Sequence, residues 1–560
     1  MRSLITTPFQ ARGAIFAIVI IIAFALLSGL AGFRHEPGTA EATLASEVKK
    51  ILASDAESGD LFGISLAISG DTAIVGAYYE DGELTKPGAA YVFRRDQGGT
   101  DNWGQVVKLT ASDAEVNDNF GNAVAISGDI AVIGAWTERA GGTRAGAAYV
   151  FHRDEGGTDN WGEVKKLTAS DAEELDEFGV SVGVSGDTII VGAYGESSGG
   201  SNAGAAYVFR RDEGGTDNWG EVKKITASDA EANDRFGYVG ISGDIVVVGA
   251  FGEDTLADAA GAAYIFGRDA GGTDNWGEVT KLTASDAEMS DFFGAAVAVS
   301  GDVAVIGAQF HGALDQGAAY VFERDAGGTD NWGEVAELNA SDAEGLDIFG
   351  EVVAASGENI VVGARWEDAA GNNAGAAYVF RRNEGGTGNW GEVGKLTASD
   401  AESNDGFGVS VAVSSGTVAV GAWAEDEEGT NAGAAYLFEP PKLQEPGDTD
   451  GDGCSDQREN GPDATLGGQR DYKNPNDFYD VAGSPLPPQN GAPDGVIDLP
   501  NDILGVIQHH PSGTLGYDAQ FDRGPWTGSN SWNKTQGPDG VIDLPNDILG
   551  VILQFSHSCQ

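Results

Sequence analysis

The stretch of sequence that decides the fold covers residues 166–194 and reads K-L-T-A-S-D-A-E-E-L-D-E-F-G-V-S-V-G-V-S-G-D-T-I-I-V-G-A-Y. Close variants of this segment recur seven times between residues 47 and 438, and successive F-G pairs are 56 to 58 residues apart. The phenylalanines of the F-G pairs are Phe62, Phe120, Phe178, Phe236, Phe293, Phe349 and Phe407. A period this regular, built from short apolar segments, indicates a repeat architecture.

Each copy divides into four segments of strand length. In the second copy these segments are residues 121–127, 130–135, 147–153 and 161–169. A tight S-G-D turn separates the first two, and a hairpin with Gly-Gly separates the last two. The apolar residues are consecutive instead of alternating, which is typical of strands with both faces covered. Blades of a β-propeller have this property because each blade packs between two neighbours.

The two ends of the repeat region predict a closed ring. The seventh copy stops at Phe438 without its fourth strand, whereas residues 47–52 resemble a fourth strand that has no blade before it. Pairing the two would close an all-β, seven-bladed β-propeller over residues 43–440 and would remove its open sheet edges. A solenoid with separate caps is the alternative.

The pattern of F-G, a strand and then V-G-A resembles the FG-GAP repeats of integrin-type β-propellers, and most closely the shorter form of exported bacterial FG-GAP proteins. In integrin-type repeats a calcium loop often joins the first two strands. Here that loop is shortened to S-G-D, as at residues 185–187, so the calcium sites are not carried over. Integrin propellers also tend to place an aromatic residue after F-G. Among the seven copies only Tyr238 is aromatic there, so docking of a partner subunit is not implied.

The loops that follow V-G-A vary most between copies. Each has an aromatic residue one or two positions after the alanine and then an acid, which histidine replaces in the fifth copy. Variable loops on a rigid scaffold are common recognition sites. An aromatic ring beside a carboxylate suits sugars, amines or a basic peptide. In the alternative interpretation the rings seal the packing between blades and the acids are solvated. The candidate ligand-loop residues are Tyr78, Glu80, Trp136, Glu138, Tyr194, Glu196, Phe251, Glu253, Phe310, His311, Trp366, Glu367, Trp423 and Glu425.

Two other sets of side chains repeat around the ring. Three acids precede every F-G pair, as Asp113, Glu115 and Asp118 do in the second copy. They are interpreted as turn caps that accept hydrogen bonds from backbone N–H groups, with chelation of a hard cation as the alternative. A tryptophan such as Trp161 begins the fourth strand of six copies, and its uniform placement indicates packing.

The composition changes after residues 445–446, within a predicted linker at residues 441–447 that leads into a predicted C-terminal module at 448–560. Residues 448–459 match the twelve-position calcium loop, with acids at positions 1, 3, 5, 9 and 12 and glycine at position 6. The predicted metal ligands in this loop are Asp448, Asp450, Asp452, Asp456 and Glu459. An acidic linker is the alternative. The loop resembles those of thrombospondin type 3-like repeats.

Two nearly identical segments, residues 493–507 and 538–552, each lead from D-G-x-I-D into a short predicted helix. They resemble the duplicated calcium loop and helix of dockerin modules, and that resemblance implies calcium and a cohesin-like partner. The implied ligands are Asn490, Asp494, Asp498, Asp502, Asp539, Asp543 and Asp547. A self-contained terminal module is the alternative. The two cysteines, Cys454 and Cys559, could form one disulfide in an exported protein or remain free thiols.

An uncharged stretch at residues 13–33 follows Arg2 and Arg12, so residues 1–42 are predicted to be an export signal or an N-terminal membrane anchor. We therefore expect an extracellular or cell-surface protein. With 32 basic and 87 acidic residues, the net charge of −55 disfavours binding to nucleic acid.

These observations predict a binding or adhesion protein whose ligand is an extracellular protein or a carbohydrate. The sequence has no G-x-S-x-G, no H-E-x-x-H and no phosphate-binding loop, so we expect no enzymatic activity. The alternatives are a polysaccharide-processing enzyme built on a propeller and a structural surface-layer component. An enzyme would need a cluster of polar residues in one blade that the other blades lack. The fifth copy, with Phe310 and His311, is the one local asymmetry of this kind in the repeats.

Overall fold

The computed structural model describes residues 46–81, 85–139, 144–384 and 386–439, which form strands and turns without a helix. The strands are β1 (Ser46–Ile51), β2 (Ser65–Ser69), β3 (Thr72–Ala77), β4 (Ala89–Arg94), β5 (Gly104–Leu109), β6 (Phe120–Ser127), β7 (Ile130–Ala135), β8 (Ala147–His152), β9 (Gly162–Leu167), β10 (Ser181–Ser185), β11 (Thr188–Ala193), β12 (Ala205–Arg210), β13 (Gly220–Ile225), β14 (Phe236–Ser242), β15 (Ile245–Ala250), β16 (Ala262–Gly267), β17 (Gly277–Leu282), β18 (Ala296–Ser300), β19 (Val303–Ala308), β20 (Ala318–Glu323), β21 (Gly333–Leu338), β22 (Val352–Ser356), β23 (Asn359–Ala364), β24 (Ala376–Arg382), β25 (Trp390–Leu396), β26 (Phe407–Ser414), β27 (Thr417–Ala422) and β28 (Ala434–Glu439).

The strands form seven four-stranded antiparallel sheets. Blades one to six each consist of four consecutive strands, from β2–β5 in blade one to β22–β25 in blade six. Blade seven has the order β1-β28-β27-β26. The first strand of every blade contacts the first strands of both neighbours, as β2 contacts β6 and β26, so these strands surround the centre. The prediction of a seven-bladed β-propeller is confirmed.

The ring closes as the sequence predicts. Strand β1 pairs with β28, and Lys50 and Ile51 lie opposite Tyr436 and Ala435. The backbone N–H of Phe62, at the start of blade one, donates to the carbonyl of Ala432 in blade seven at 2.9 Å. The N-terminal strand therefore supplies the missing fourth strand of the last blade, and the solenoid alternative is wrong.

Burial differs between the four strands of a blade. All six residues of β3, β7, β11, β19 and β27 are buried, and the third strands are nearly as buried. Fourth strands such as β9 are half-buried along most of their length because they form the outer edge. The consecutive apolar residues of the second and third strands thus reflect cover on both faces.

The F-G motif joins each blade to its neighbour. Phe120 is completely buried, and inside its own blade its ring makes edge contacts with Tyr149 and Phe151 at centroid distances of 5.5 and 6.0 Å. The glycine makes a close contact with the neighbouring blade. Gly121 has a φ of +92°, and a Cβ on this residue would collide with the carbonyl oxygen of Ala89 in blade one. Only glycine allows this close approach of two backbones.

Because neighbouring strands are antiparallel, successive connections lie alternately at the two ends of the ring. We call the end that carries the second-to-third and blade-to-blade connections the loop face. The S-G-D turns and the Gly-Gly hairpins lie on the opposite end, which we call the turn face. There Trp161 is buried, and the guanidinium of Arg153 lies 5.4 Å from its ring centroid and 3.0 Å from Asp129. The interpretation of this tryptophan as a packing residue is confirmed.

Several predictions fall on residues outside the part of the chain that the structure describes. They concern the uncharged stretch 13–33, the linker, the C-terminal module and the two cysteines, and they stay predictions. Among the described residues, no helix has the length and apolar character needed to cross a membrane.

Candidate functional site

The acid that follows V-G-A is buried inside its own blade. In blade two Lys166, on the fourth strand, donates to Glu138 at 2.8 Å and to Asp113 at 2.6 Å. The same lysine–glutamate pair, at 2.7 to 2.9 Å, occurs as Lys108–Glu80, Lys166–Glu138, Lys224–Glu196, Lys281–Glu253, Lys395–Glu367 and Lys50–Glu425. These six glutamates are only 3 to 7% exposed. The interpretation that they are solvated is therefore wrong, and their carboxylates hold the blade together at the loop face.

The acids before F-G complete this cluster. The hydroxyl of Tyr149 donates to Asp113 at 2.8 Å. Although burial alone would raise it, the pKa of Asp113 is lowered below its usual value by the hydrogen bonds from Lys166 and Tyr149. Asp118 is 1% exposed and accepts a hydrogen bond from the backbone N–H of Glu115 at 2.6 Å. This contact confirms Asp118 as a turn cap, and burial raises the pKa of its carboxyl.

Blade five departs from this pattern at two positions. His311 replaces the glutamate after V-G-A, and Glu337 replaces the lysine on the fourth strand. The two side chains still face each other, with 3.9 Å between His311 Nε2 and Glu337 Oε1. Among the described blades, the fifth thus lacks the ammonium group that the other six place in the cluster.

Five aromatic rings form a continuous row on the loop face across blades three to five. We call this row the aromatic arc. Its members are Tyr194, Tyr238, Phe251, Phe292 and Phe310, with successive centroid distances of 6.1, 5.7, 5.5 and 5.2 Å. All five side chains are half-buried, so each leaves part of its surface accessible. The guanidinium of Arg235 lies 5.3 Å from the ring centroid of Phe251 and adds a positive charge to the arc.

The loop face also carries most of the exposed apolar surface. Among the described residues, seven of the nine large apolar side chains with high exposure lie in its connections. These seven are Val116, Leu175, Leu256, Met289, Leu314, Leu346 and Trp366. The other two, Val279 and Val335, lie on the outer strands β17 and β21. Contiguous exposed apolar patches mark interaction sites, whereas isolated apolar side chains carry no such meaning, so the loop face is the end of the ring on which such a patch is to be sought.

The structure brings together some of the predicted aromatic residues and not others. Tyr194, Phe251 and Phe310 belong to the aromatic arc. Tyr78 instead contacts Tyr79 at a centroid distance of 4.2 Å, and Trp366 is 40% exposed beside Arg365. Trp136 and Trp423 are half-buried in their own blades.

Sequence reasoning missed two members of the arc. Tyr238 follows an F-G pair near the start of β14, and Phe292 precedes an F-G pair in the connection between β17 and β18. In the sequence Tyr238 stands out only as the single aromatic residue that directly follows an F-G pair. The contacts of Tyr238 with Tyr194 and of Phe292 with Phe251 depend on how neighbouring blades pack, and nothing in the spacing of a single copy reveals them.

A second feature of the loop face is a polar cleft between blades one and two. It is lined by Tyr79, Lys86, Asn117, Asn119, Arg139 and Arg144. The ammonium of Lys86 lies 3.7 Å from the ring centroid of Tyr79. Three cationic side chains thus gather on the loop face of a strongly acidic chain, away from the aromatic arc.

Comparison with known proteins agrees with this architecture. The sequence pattern described as the FG-GAP repeat matches residues 45–93, 103–151, 161–209, 219–266, 276–322, 332–380 and 390–438. These segments together make up more than half of the chain, and each match ends within the third strand of a blade. No curated protein matches the chain. With seven matched repeats and one closed ring of seven blades, the chain belongs to the FG-GAP repeat family.

Proposed function

We propose that this protein is an exported, non-enzymatic binding or adhesion protein at the cell surface or in the extracellular medium. Its propeller acts as a recognition scaffold, and the ligand, an extracellular protein or a carbohydrate, binds to the loop face. The aromatic arc is the centre of this site. The glutamates of the loops support the arc from inside the blades and do not contact the ligand.

The observation that carries this proposal is the one-sided distribution of exposed apolar side chains. The buried pair Lys281–Glu253 fixes the loop of blade four that carries Phe251 and Leu256, and Leu314 and the other rings of the arc lie at the same end of the ring. Partly accessible aromatic rings provide a large contact area at a low entropic cost, which suits sugar rings and protein side chains alike. A rigid ring with variable loops is an arrangement on which recognition sites are common.

For residues 1–42 and 448–560 the proposal is supported by sequence patterns alone. We propose that residues 1–42 direct export or anchor the chain, and that the calcium loop at residues 448–459 stabilises the C-terminal module. The dockerin-like segments would bind a cohesin-like partner and so attach the propeller to a larger assembly. With its net charge of −55, the protein would not bind nucleic acid.

The experiment applies the fluorescently labelled full chain to a printed glycan array and to an array of purified extracellular proteins. Leu256→Ser/Leu314→Ser removes two exposed apolar side chains from the loop face. Val279→Ser/Val335→Ser is the matched control, because it removes two exposed apolar side chains from the outer strands. We expect retention of the unmodified chain by at least one array member, at least tenfold weaker binding of the loop-face variant, and unchanged binding of the control.

Equal binding by both variants, or no retention on either array, would contradict the proposal. Incubation of the same polysaccharides with the protein separates binding from catalysis. Release of new reducing ends would favour the polysaccharide-processing enzyme, and concentration-dependent self-association in sedimentation velocity would favour a surface-layer component.

A further inference from the structure

In six of the seven blades a lysine ammonium occupies the centre of the loop-face cluster. Lys281 of blade four, for example, lies 2.7 Å from Asp229 and 2.8 Å from Glu253. Blade five has exchanged both partners, with His311 at the glutamate position and Glu337 at the lysine position. The aspartate is retained as Asp286, whose other carboxylate oxygen still accepts a hydrogen bond from Tyr320 at 2.9 Å. The aspartate and the tyrosine of the cluster are therefore preserved without the ammonium.

Three side chains converge on the position that the ammonium would fill. His311 Nε2 lies 3.7 Å from Asp286 Oδ2 and 3.9 Å from Glu337 Oε1. The other ring nitrogen, Nδ1, lies 3.3 Å from Asp291 Oδ2. Asp291 is 2% exposed, so its carboxylate is a fixed partner inside the blade.

These contacts favour one tautomer of a neutral His311. In it the Nδ1–H group donates a hydrogen bond to the buried Asp291 carboxylate, and the lone pair stands on Nε2. That lone pair faces the oxygens of Asp286 and Glu337, which are also acceptors. Three electron-rich atoms facing one another need a cation between them. A carboxylate that orients a histidine through its second nitrogen is the usual outer partner in zinc sites.

We propose that the loop face of blade five binds one divalent transition-metal ion of the zinc class, through His311 Nε2, Asp286 and Glu337. The ion takes the place of the lysine ammonium of the other blades. One nitrogen and two carboxylate ligands with a water in the fourth position are a common zinc set, whereas calcium and magnesium prefer oxygen alone. Ligand atoms at about 2.1 Å from a tetrahedral ion stand about 3.4 Å apart, so His311 Nε2 needs to approach the two carboxylate oxygens by only a few tenths of an ångström. All three ligand atoms lie within 4.8 Å of one another.

The test measures zinc binding by equilibrium dialysis of the full chain in excess calcium, which saturates the proposed calcium loop. His311→Glu/Glu337→Lys is the decisive variant because it rebuilds the ion pair of the other six blades and removes the metal ligands. His311→Ala is a second variant that removes the nitrogen alone. Cobalt(II) replaces zinc in a parallel titration, since its visible absorption reports the coordination of the bound ion.

We expect the unmodified chain to bind one zinc ion more than the double variant. Zinc should raise the melting temperature of the unmodified chain and leave that of the double variant unchanged. Equal zinc stoichiometry in the two proteins, with identical cobalt spectra, would overturn the proposal and would leave a proton on His311 as the cation of the cluster. Should His311→Ala fail to fold, the double variant still decides between these outcomes.

Discussion

The ammonium of Lys50 and the carboxylate of Glu425 lie 2.9 Å apart, although 375 residues separate them in the chain. Lys50 is on the closing strand β1, and Glu425 is in the second-to-third loop of blade seven. The pair reproduces the contact between Lys166 and Glu138, which are only 28 residues apart in blade two. Closure of the ring thus restores both the missing strand and the missing cation of the last blade.

The first prediction concerns this ion pair. Lys50→Ala leaves Glu425 buried without its cation, so we expect the free energy of unfolding to fall by about 3 kcal/mol. Chemical denaturation of the full chain measures the change. Lys166→Ala should cost a similar amount. Lys49→Ala, which removes the neighbouring lysine of the same strand, should cost less than about 1 kcal/mol. A Lys50→Ala variant as stable as the unmodified protein would show that the pair does not support closure.

The glycine of the F-G motif gives a second prediction. Gly121 and Gly128 both have positive φ values, +92° and +57°. A Cβ on Gly121 would collide with Ala89, whereas a Cβ on Gly128 would meet no atom within 4 Å. We expect Gly121→Ala to cost at least about 3 kcal/mol of stability, and Gly128→Ala only about 1 kcal/mol. Equal losses of stability for the two variants in thermal denaturation would mean that the positive φ alone, and not the close approach to Ala89, explains the glycine of the motif.

The third prediction is a dependence of stability on pH. Burial raises the pKa of the turn-capping Asp60, Asp347 and Asp405 to about 6. Because the folded pKa exceeds the unfolded value of about 3.9, their contribution is complete below about pH 4 and is lost as the pH rises through 6. Asp113 has a lowered pKa, so the stability it contributes is lost only as the pH falls through that lowered value.

We therefore expect the melting temperature to fall as the pH rises from 5 to 7. Asp60→Asn/Asp347→Asn/Asp405→Asn retains a side-chain acceptor for the capped N–H groups but cannot ionise, and it should flatten this slope. Calorimetric scans at fixed ionic strength measure both proteins. A melting temperature that rises over this interval, or a slope that the triple variant leaves unchanged, would contradict the assignment of these carboxyls.

The fourth prediction concerns calcium. If the loop at residues 448–459 binds one ion, Asp450→Asn/Asp452→Asn/Glu459→Gln should reduce the calcium stoichiometry of the full chain by one in isothermal titration calorimetry. Asp129→Asn changes an S-G-D turn of the propeller and serves as the control, which should bind as much calcium as the unmodified chain. The opposite pattern, with calcium lost only in the control, would place calcium in the shortened turns.

The architecture could be derived from the sequence because the signals that define it are local and repeated. The F-G period fixes the number of blades, and the fourth-strand pattern at residues 47–52 identifies the closing strand. Both follow from the order of apolar segments along the chain. The same local logic identifies Asp118 as a cap, since its partner, the N–H of Glu115, is three residues away.

The chemistry of the loop face was harder to derive because its partners come from different strands. Glu138 resembles a solvated loop acid until Lys166 is placed beside it by the pairing of the third and fourth strands. One signal was present in the sequence: the fifth copy changes Glu to His at position 311 and Lys to Glu at position 337. A paired exchange of this kind indicates contact. The aromatic arc had no such signal, because the contacts of Tyr238 with Tyr194 and of Phe292 with Phe251 arise only from packing between neighbouring blades.

Hydrogen exchange of residues 46–51 tests the central claim, closure of the ring by the N-terminal strand, most directly. Mass spectrometry of the intact full chain, followed by peptide analysis, compares the protection of β1 with that of β9, a fourth strand in the interior of the repeat. We predict equal protection, because β1 donates to and accepts from β28 as β9 does with β8. Exchange of β1 at the rate of an unstructured peptide, while β9 stays protected, would contradict the closed seven-bladed ring.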